Sequence, residues 1–169
     1  MERRELFGSL FSSFTTKKDE KKIIIRPPYY CRNDEESKNK ESFFTKECMH
    51  CDGKCSTFCE EKIIIILEDK TPAIDFGLGG CTYCDACANA CPTDVLKIEY
   101  KNKIETSIKI DILKCMSWHN TMCFSCKDPC LDDAIEFLGI FRPTINPLKC
   151  TNCGFCIRVC PSDAISVSN

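Results

Sequence analysis

Several things are scarce in this 169-residue chain, and each scarcity excludes something. Long hydrophobic runs are missing. The longest aliphatic stretch, Ile63 to Leu67, has five residues, whereas a membrane-spanning helix needs about 20. Histidine is almost absent: His50 and His119 are the only two, too few for an array of Cys2His2 zinc fingers. Charge of one sign is missing too. With 23 Lys and Arg against 25 Asp and Glu, there is no overall basic field for nucleic acid. No glycine-rich phosphate loop and no catalytic triad is visible, so no substrate site is expected and the chain reads as a non-enzyme. Nor is there a secretory signal. Arg3-Arg4 resembles a twin-arginine signal only superficially, because no apolar stretch of about 7–15 residues follows. Gly8, Ser9, Ser12 and Ser13 interrupt Leu6, Phe7, Leu10, Phe11 and Phe14. The expected compartment is therefore the cytoplasm.

What the chain has is cysteine. There are 17, about 10% of the residues, the level that marks a cysteine scaffold. Without them, roughly a third of the chain is hydrophobic, thin for a packed core at this size. Something bound to cysteine must then supply part of the interior. In a reducing compartment, dense cysteine points to metal rather than disulfides, and an odd count fits a full disulfide framework poorly.

Spacing narrows the choice. Four groups are present: Cys48, Cys51, Cys55 and Cys59; Cys81, Cys84, Cys87 and Cys91; Cys115, Cys123, Cys126 and Cys130; Cys150, Cys153, Cys156 and Cys160. The second and fourth, each followed by proline (Pro92, Pro161), match the bacterial ferredoxin run C-x2-C-x2-C-x3-C-P. Two residues between cysteines let a tight loop place three sulfurs on three corners of one cube. The fourth cysteine, expected at the start of a helical turn, points away, and in two-cluster ferredoxins it ligates the neighbouring cluster. Paired CxxC units also make zinc ribbons, but here a further cysteine follows every pair. Sixteen grouped cysteines match the ligands of four [4Fe–4S] clusters, and Cys31 is left over as a spare thiol.

The groups repeat. Their first residues, 48, 81, 115 and 150, lie 33 to 35 apart. After each group comes an apolar segment expected to be a strand: Ile63 to Leu67, Val95 to Tyr100, Ala134 to Ile140 and Ala164 to Val167. Shorter strands are expected at Ala73 to Phe76, Ser107 to Ile112 and Thr144-Ile145. The predicted fold class is α+β, a tandem bacterial ferredoxin-like arrangement of two 2[4Fe–4S] modules with small hairpins and short helices around clusters. The expected division is an N-terminal arm and charged linker over 1–47, a first module over 48–114 and a second over 115–169. Neighbouring groups are expected to pair, first with second and third with fourth; the nested pairing is the alternative. Within the arm, Leu6, Phe7, Leu10, Phe11 and Phe14 recur on one helical face. That face is either packed on the body or a docking surface for a partner or membrane face. Asn33 to Ser42 is charged and reads as a solvated linker.

Certain residues carry a resemblance beyond the cysteine runs. They are Arg3-Arg4-Glu5-Leu6-Phe7, Ile25-Arg26-Pro27-Pro28, the unusual seven-residue gap between Cys115 and Cys123, Ala134-Ile135-Glu136-Phe137 and Phe141-Arg142-Pro143-Thr144. Together they resemble the NapF-type iron–sulfur proteins of periplasmic nitrate reductase systems. That resemblance implies a cytoplasmic protein with four [4Fe–4S] clusters. It also implies a partner, the molybdenum-containing catalytic subunit of the nitrate reductase, met before export and helped to mature. The chain departs from the pattern in three places. Asp52-Gly53-Lys54 makes the second gap of the first group three residues long, Cys59 and Cys130 lack a following proline, and Cys31 is extra. An electron-carrying ferredoxin subunit of a respiratory complex is the alternative function. Trp118 and His119, inside the seven-residue gap, read as a loop shielding a cluster, with ligation by His119 the sharper alternative. Tyr29-Tyr30 and Phe43-Phe44 read as packing rather than stacking sites for a base.

Overall fold

In the computed structural model the described residues are 23–31 and 40–168, with side chains from Phe44 onward in the second stretch. The helix expected within 1–22 lies outside them, as does most of the linker. The elements are short. Helix α1 (Lys40–Cys48) and helix α2 (Lys54–Thr57) precede strands β1 (Ile64–Ile66) and β2 (Pro72–Ile74). Helix α3 (Ala86–Asn89), a 3-10 turn (Ile98–Tyr100) and strand β3 (Ser107–Ile110) follow. A second 3-10 turn (Met116–His119), β4 (Ile135–Leu138), β5 (Phe141–Ile145), α4 (Phe155–Arg158) and β6 (Ile165–Ser168) complete the chain.

These strands form three antiparallel pairs. β1 pairs with β2, with Ile64 opposite Ile74. β4 pairs with β5, with Ile135 opposite Ile145 and an irregularity at Phe137/Leu138. The third pair is long-range: β3 lies against β6, with Ile108 opposite Val167. β3 precedes the third cysteine group in sequence, yet its ladder joins it to the strand after the fourth. One expected strand is absent. Val95 and Leu96 are buried, but the chain curls into the 3-10 turn at Ile98 instead of extending. Asp94, at φ 60°, turns the chain there. The amide of Lys97 is then spent on the carbonyl of Tyr29.

Residues 25–30 are core, not arm. Ile25, Tyr29 and Tyr30 are buried with Phe44, Ile63, Ile74, Phe76 and Leu96 in one apolar cluster. The backbone of Ile25 accepts the amide of Ile74. Arg26 is the anchor. Its guanidinium donates to Thr71 Oγ1 at 2.8 Å and to the carbonyl of Pro72 at 2.7 Å, and stands 4.7 Å from the centre of the Phe44 ring. Asp69 in turn accepts from the amide and hydroxyl of Thr71, which holds its carboxyl below the usual range. These acceptors and the aromatic face offset part of the cost of burying the guanidinium. A second buried cluster gathers Ile108, Ile135, Ile165, Cys126 and Cys156.

The two clusters meet at reciprocal contacts. Phe155 sits against Gly80, where an added Cβ would stand 2.4 Å from the ring, and Phe76 sits against Gly154, where it would stand 2.0 Å away. Arg158 Nη1 donates to the carbonyl of Leu78 at 2.8 Å, and Asn152 Nδ2 to those of Ile104 and Thr106 at 3.0 and 2.7 Å. Gly154 is also left-handed, at φ 86°. Gly154→Ala should therefore suffer twice, by about 1–3 kcal/mol from overpacking and about 1–2 kcal/mol from backbone strain. Gly139→Ala is the control, because Gly139 is left-handed at φ 67° with nothing within 4 Å. Apparent thermal midpoints should fall clearly further for Gly154→Ala; equal falls would show that the aromatic contact contributes nothing.

Candidate metal centres

The first, second and fourth loops are built on one backbone plan. Helices α2, α3 and α4 carry the third cysteine of their group, Cys55, Cys87 and Cys156. Two residues earlier stands a left-handed residue, Gly53, Asp85 or Gly154. The extra residue of the first loop is accommodated before Gly53, which keeps that equivalent position. The fourth cysteine lies just past the helical turn rather than at its start: Cys59, Cys91 and Cys160 each follow the C-cap residue. Three residues beyond every fourth cysteine the backbone turns left-handed again, at Lys62, Asp94, Asp133 and Asp163. That turn aims amides back at sulfur. Leu96 N donates to Cys91 Sγ at 3.5 Å, Ala134 N to Cys130 Sγ at 3.3 Å and Ala164 N to Cys160 Sγ at 3.3 Å. Sequence reading missed these residues. The signal was the aspartate recurring three places after three of the four last cysteines, since aspartate tolerates the left-handed region.

The thiols gather in mixed groups. Burial, and then the thiols of Cys55, Cys91 and Cys51, push Cys48 up to about 11. Cys91 thus stands with the first three cysteines of the preceding group. Conversely Cys59 stands with Cys81, Cys84 and Cys87. Burial pushes Cys87 up to about 12, assisted by Cys81, Cys55, Cys59 and Cys84, and Cys59, Cys81, Cys84 and Cys87 line one cavity. The later groups repeat the exchange. Cys126, pushed up to about 11 by burial, has Cys123, Cys115 and Cys160 as its electrostatic neighbours, and these four line a second cavity. Cys156, pushed up to about 12 by burial, neighbours Cys153, Cys150, Cys126 and Cys130. The two cavities are alike in size.

This geometry suits a polynuclear group. Among the described residues no three His, Cys, Asp or Glu side chains close on a point that could hold one metal ion. A tetrahedral zinc site would need sulfurs about 3.8 Å apart, given a Zn–S length of about 2.3 Å. In two of the four groups all four thiols line one cavity, an arrangement that fits a group larger than a single ion. Desolvation favours the protonated form of the deeper thiols, so a metal cluster held there would bind with release of protons. Cys31 is half-buried and lines neither cavity. His119 is exposed, with Nε2 3.0 Å from the carbonyl of Leu113, and does not line the cavity of Cys115. Trp118 donates from Nε1 to the carbonyl of Pro143 at 3.1 Å. Among the described residues no helix is long and apolar enough to cross a membrane.

Comparisons with known proteins agree with this chemistry. A family model described as a 4Fe-4S binding domain matches residues 78–97 and 143–166, the stretches holding the second and fourth groups. The ferredoxin-type protein NapF of Escherichia coli (strain K12) is 32% identical over 130 residues, 75% of this chain and 78% of that one. The chain belongs to the NapF family of ferredoxin-type proteins. NapF of Haemophilus influenzae is 30% identical over 133 residues, 76% of this chain and 74% of that one. More remote is the ferredoxin-type protein NapG of Escherichia coli (strain K12), 25% identical over 144 residues, covering 71% of this chain and 62% of that one. This NapF-family chain is thus an iron–sulfur protein of the electron-transfer or accessory kind, with a ferredoxin-like α+β fold and 4Fe-4S binding domains. Proteins of this type carry electrons rather than catalyse.

Thiol exchange makes a sharp expectation for iron content. Cys91→Ser and Cys51→Ser should each lose one cluster, about four iron atoms, and the double variant should lose no more than either single one. Cys91→Ser combined with Cys84→Ser should lose two. Ligation within each group would reverse the two doubles. Cys31→Ser should keep the full content.

Proposed function

We propose that the chain binds four [4Fe–4S] clusters in two tandem ferredoxin-like modules and serves the molybdenum-containing catalytic subunit of a periplasmic nitrate reductase. In this reading it is an accessory protein in the cytoplasm that acts while the subunit matures, by redox or cluster chemistry. The observation that carries the reading is the exchange of fourth cysteines, because it uses all sixteen grouped thiols and leaves over only Cys31. Membership of the NapF family supports the partner.

The proposed ligand sets follow from the thiol groups: Cys48, Cys51, Cys55 and Cys91; Cys59, Cys81, Cys84 and Cys87; Cys115, Cys123, Cys126 and Cys160; Cys130, Cys150, Cys153 and Cys156. A bound [4Fe–4S] cluster supplies one-electron chemistry. The protein's own contribution is positioning and environment. Buried isoleucines exclude water, and the amides of Tyr83, Leu96, Ala134 and Ala164 donate to ligand sulfur. Such hydrogen bonds stabilise added negative charge and tune the potential.

A second reading, an electron-carrying subunit of a respiratory complex, is supported by the junction between the halves. Cys81 N donates to the carbonyl of Cys153 at 2.7 Å, and Tyr83 Oη to that of Thr151 at 2.6 Å. The second and fourth loops are thereby held in direct contact, which suits passage of electrons from one half to the other.

Co-purification from cytoplasmic extract separates the readings. The molybdoenzyme precursor is the expected partner under the first, and membrane quinol-oxidising subunits under the second. The arm is tested in the same experiment. A chain starting at Lys21 keeps the core residues 25–30, so it should retain about 16 iron atoms, four per cluster, while recovery of the precursor falls. Unchanged recovery would move the docking surface onto the cluster-binding body.

A further inference from the structure

One buried hydroxyl has no use in what has been described. Ser117 is 1% exposed, and its Oγ has no hydrogen-bond partner among the described residues. Leaving a buried hydroxyl unpaired is costly, so such a group calls for an explanation. Its position supplies one. Ser117 lines the cavity ringed by Cys115, Cys123, Cys126 and Cys160. It sits in the seven-residue gap peculiar to the third group, on the 3-10 turn Met116–His119. That turn is fixed on both sides of the serine. Trp118 N donates to the carbonyl of Cys115 at 3.0 Å, and Trp118 Nε1 to that of Pro143 at 3.1 Å.

The rest of the cavity wall offers the hydroxyl little. Ile110, Pro143 and Ile165 are apolar there. The other two hydroxyls of the wall are already engaged with sulfur: Ser125 Oγ lies 3.7 Å from Cys123 Sγ, and Ser162 Oγ 3.7 Å from Cys160 Sγ. In the cavity of Cys81 the buried hydroxyl is Tyr29, and Asp85 engages it through an amide at 3.2 Å and its carboxylate. Of these two cavities, that of the third group combines four thiols with a buried, unengaged donor among the described residues.

We infer that Ser117 is a positioning residue for the cluster in that cavity, donating its hydroxyl proton to a cluster or ligand sulfur. The inference rests on the proposed iron–sulfur reading of the site. A donor aimed at sulfur stabilises the reduced, more negative cluster. Ser117 thus raises the potential of the third-group cluster above the value its thiolates alone would set. The seven-residue gap thereby brings a buried hydroxyl to the wall of the third-group cavity.

The test uses the full chain, purified without air. Iron and sulfide in the wild type come first; absence of about four clusters' worth would defeat the underlying reading and not this one. Potentiometric titration followed by electron paramagnetic resonance then compares the wild type with Ser117→Ala. Full iron, one midpoint moved to more negative potential and the others unmoved is the expected result. Deuteron couplings after exchange into D2O should lose one component in the same variant. Four unmoved midpoints with unchanged couplings would overturn the inference and leave Ser117 a packing residue. If Ser117→Ala loses a cluster, Ser117→Thr decides. Retention by threonine of the cluster and the exchangeable coupling shows that the hydroxyl is what the cluster needs; loss in both variants shows that only the shape mattered, and the inference fails.

Discussion

Everything in this molecule depends on pairing desolvated thiols across the chain. A buried thiol gains little from its surroundings and cannot ionise cheaply. Groups of four such thiols are stable features of a fold only if something at their centre takes up their charge. Because the fourth cysteine of each group faces the loop of its partner group, no single loop closes its own site. Residues 48–59 and 81–91 need one another, as do 115–130 and 150–160. Loops that would otherwise be too small to hold a core are thereby made parts of larger units. The short strands are consistent with this. Pairs three to five residues long could not stand alone, and they frame sites rather than build a continuous sheet.

The first half solves a problem that the second half does not have. In the second half β6 pairs with β3, which arrives from upstream of the third group. In the first, the upstream strand is replaced by residues 23–30, which run alongside without forming a regular ladder. Arg26 compensates by tying that segment to the β1–β2 turn through Thr71 and Pro72. Pro27 and Pro28 then fix its course, and Tyr29 and Lys97 share the next backbone hydrogen bond. Ile25-Arg26-Pro27-Pro28 therefore does a structural job that a strand does elsewhere, which gives a physical reason for a motif that otherwise looks unconnected to the cysteines.

How much of this was legible in the sequence varies with the kind of signal. Cysteine spacing carried the chemistry, since ligand geometry imposes strict intervals. Most strands were legible from isoleucine-rich runs. Val95 to Tyr100 was not, because an apolar run says that a segment is buried and not that it is extended. The left-handed turn at Asp94 decides that, and a lone aspartate is a weak signal until it recurs at Asp133 and Asp163. The place of the fourth cysteines, just beyond their helical turns, was off by a few residues, since helices of four residues have no periodicity to read. The burial of Tyr29 and Tyr30 was anticipated as packing. The engagement of Arg26 was not, because a buried charge is recognisable only once its acceptors, far along the chain, are in view.

The contact between the halves shows why their arrangement is asymmetric in use although the loops repeat. The second and fourth loops meet through Cys81 and Cys153 and the reciprocal Phe76–Gly154 and Phe155–Gly80 contacts. These are also the two loops with the compact spacing and the following proline. Variation has room only where loops do not face each other. An extra residue before Gly53 and a seven-residue gap after Cys115 fall in the first and third loops, away from that contact. An insertion of either kind in the second or fourth loop would displace Cys81 or Cys153 and open the junction. The irregular spacings are thus a consequence of position: the inner loops are held to one geometry by each other, and the outer loops are left free to acquire side chains, such as Trp118 over β5, that set the surroundings of their own sites.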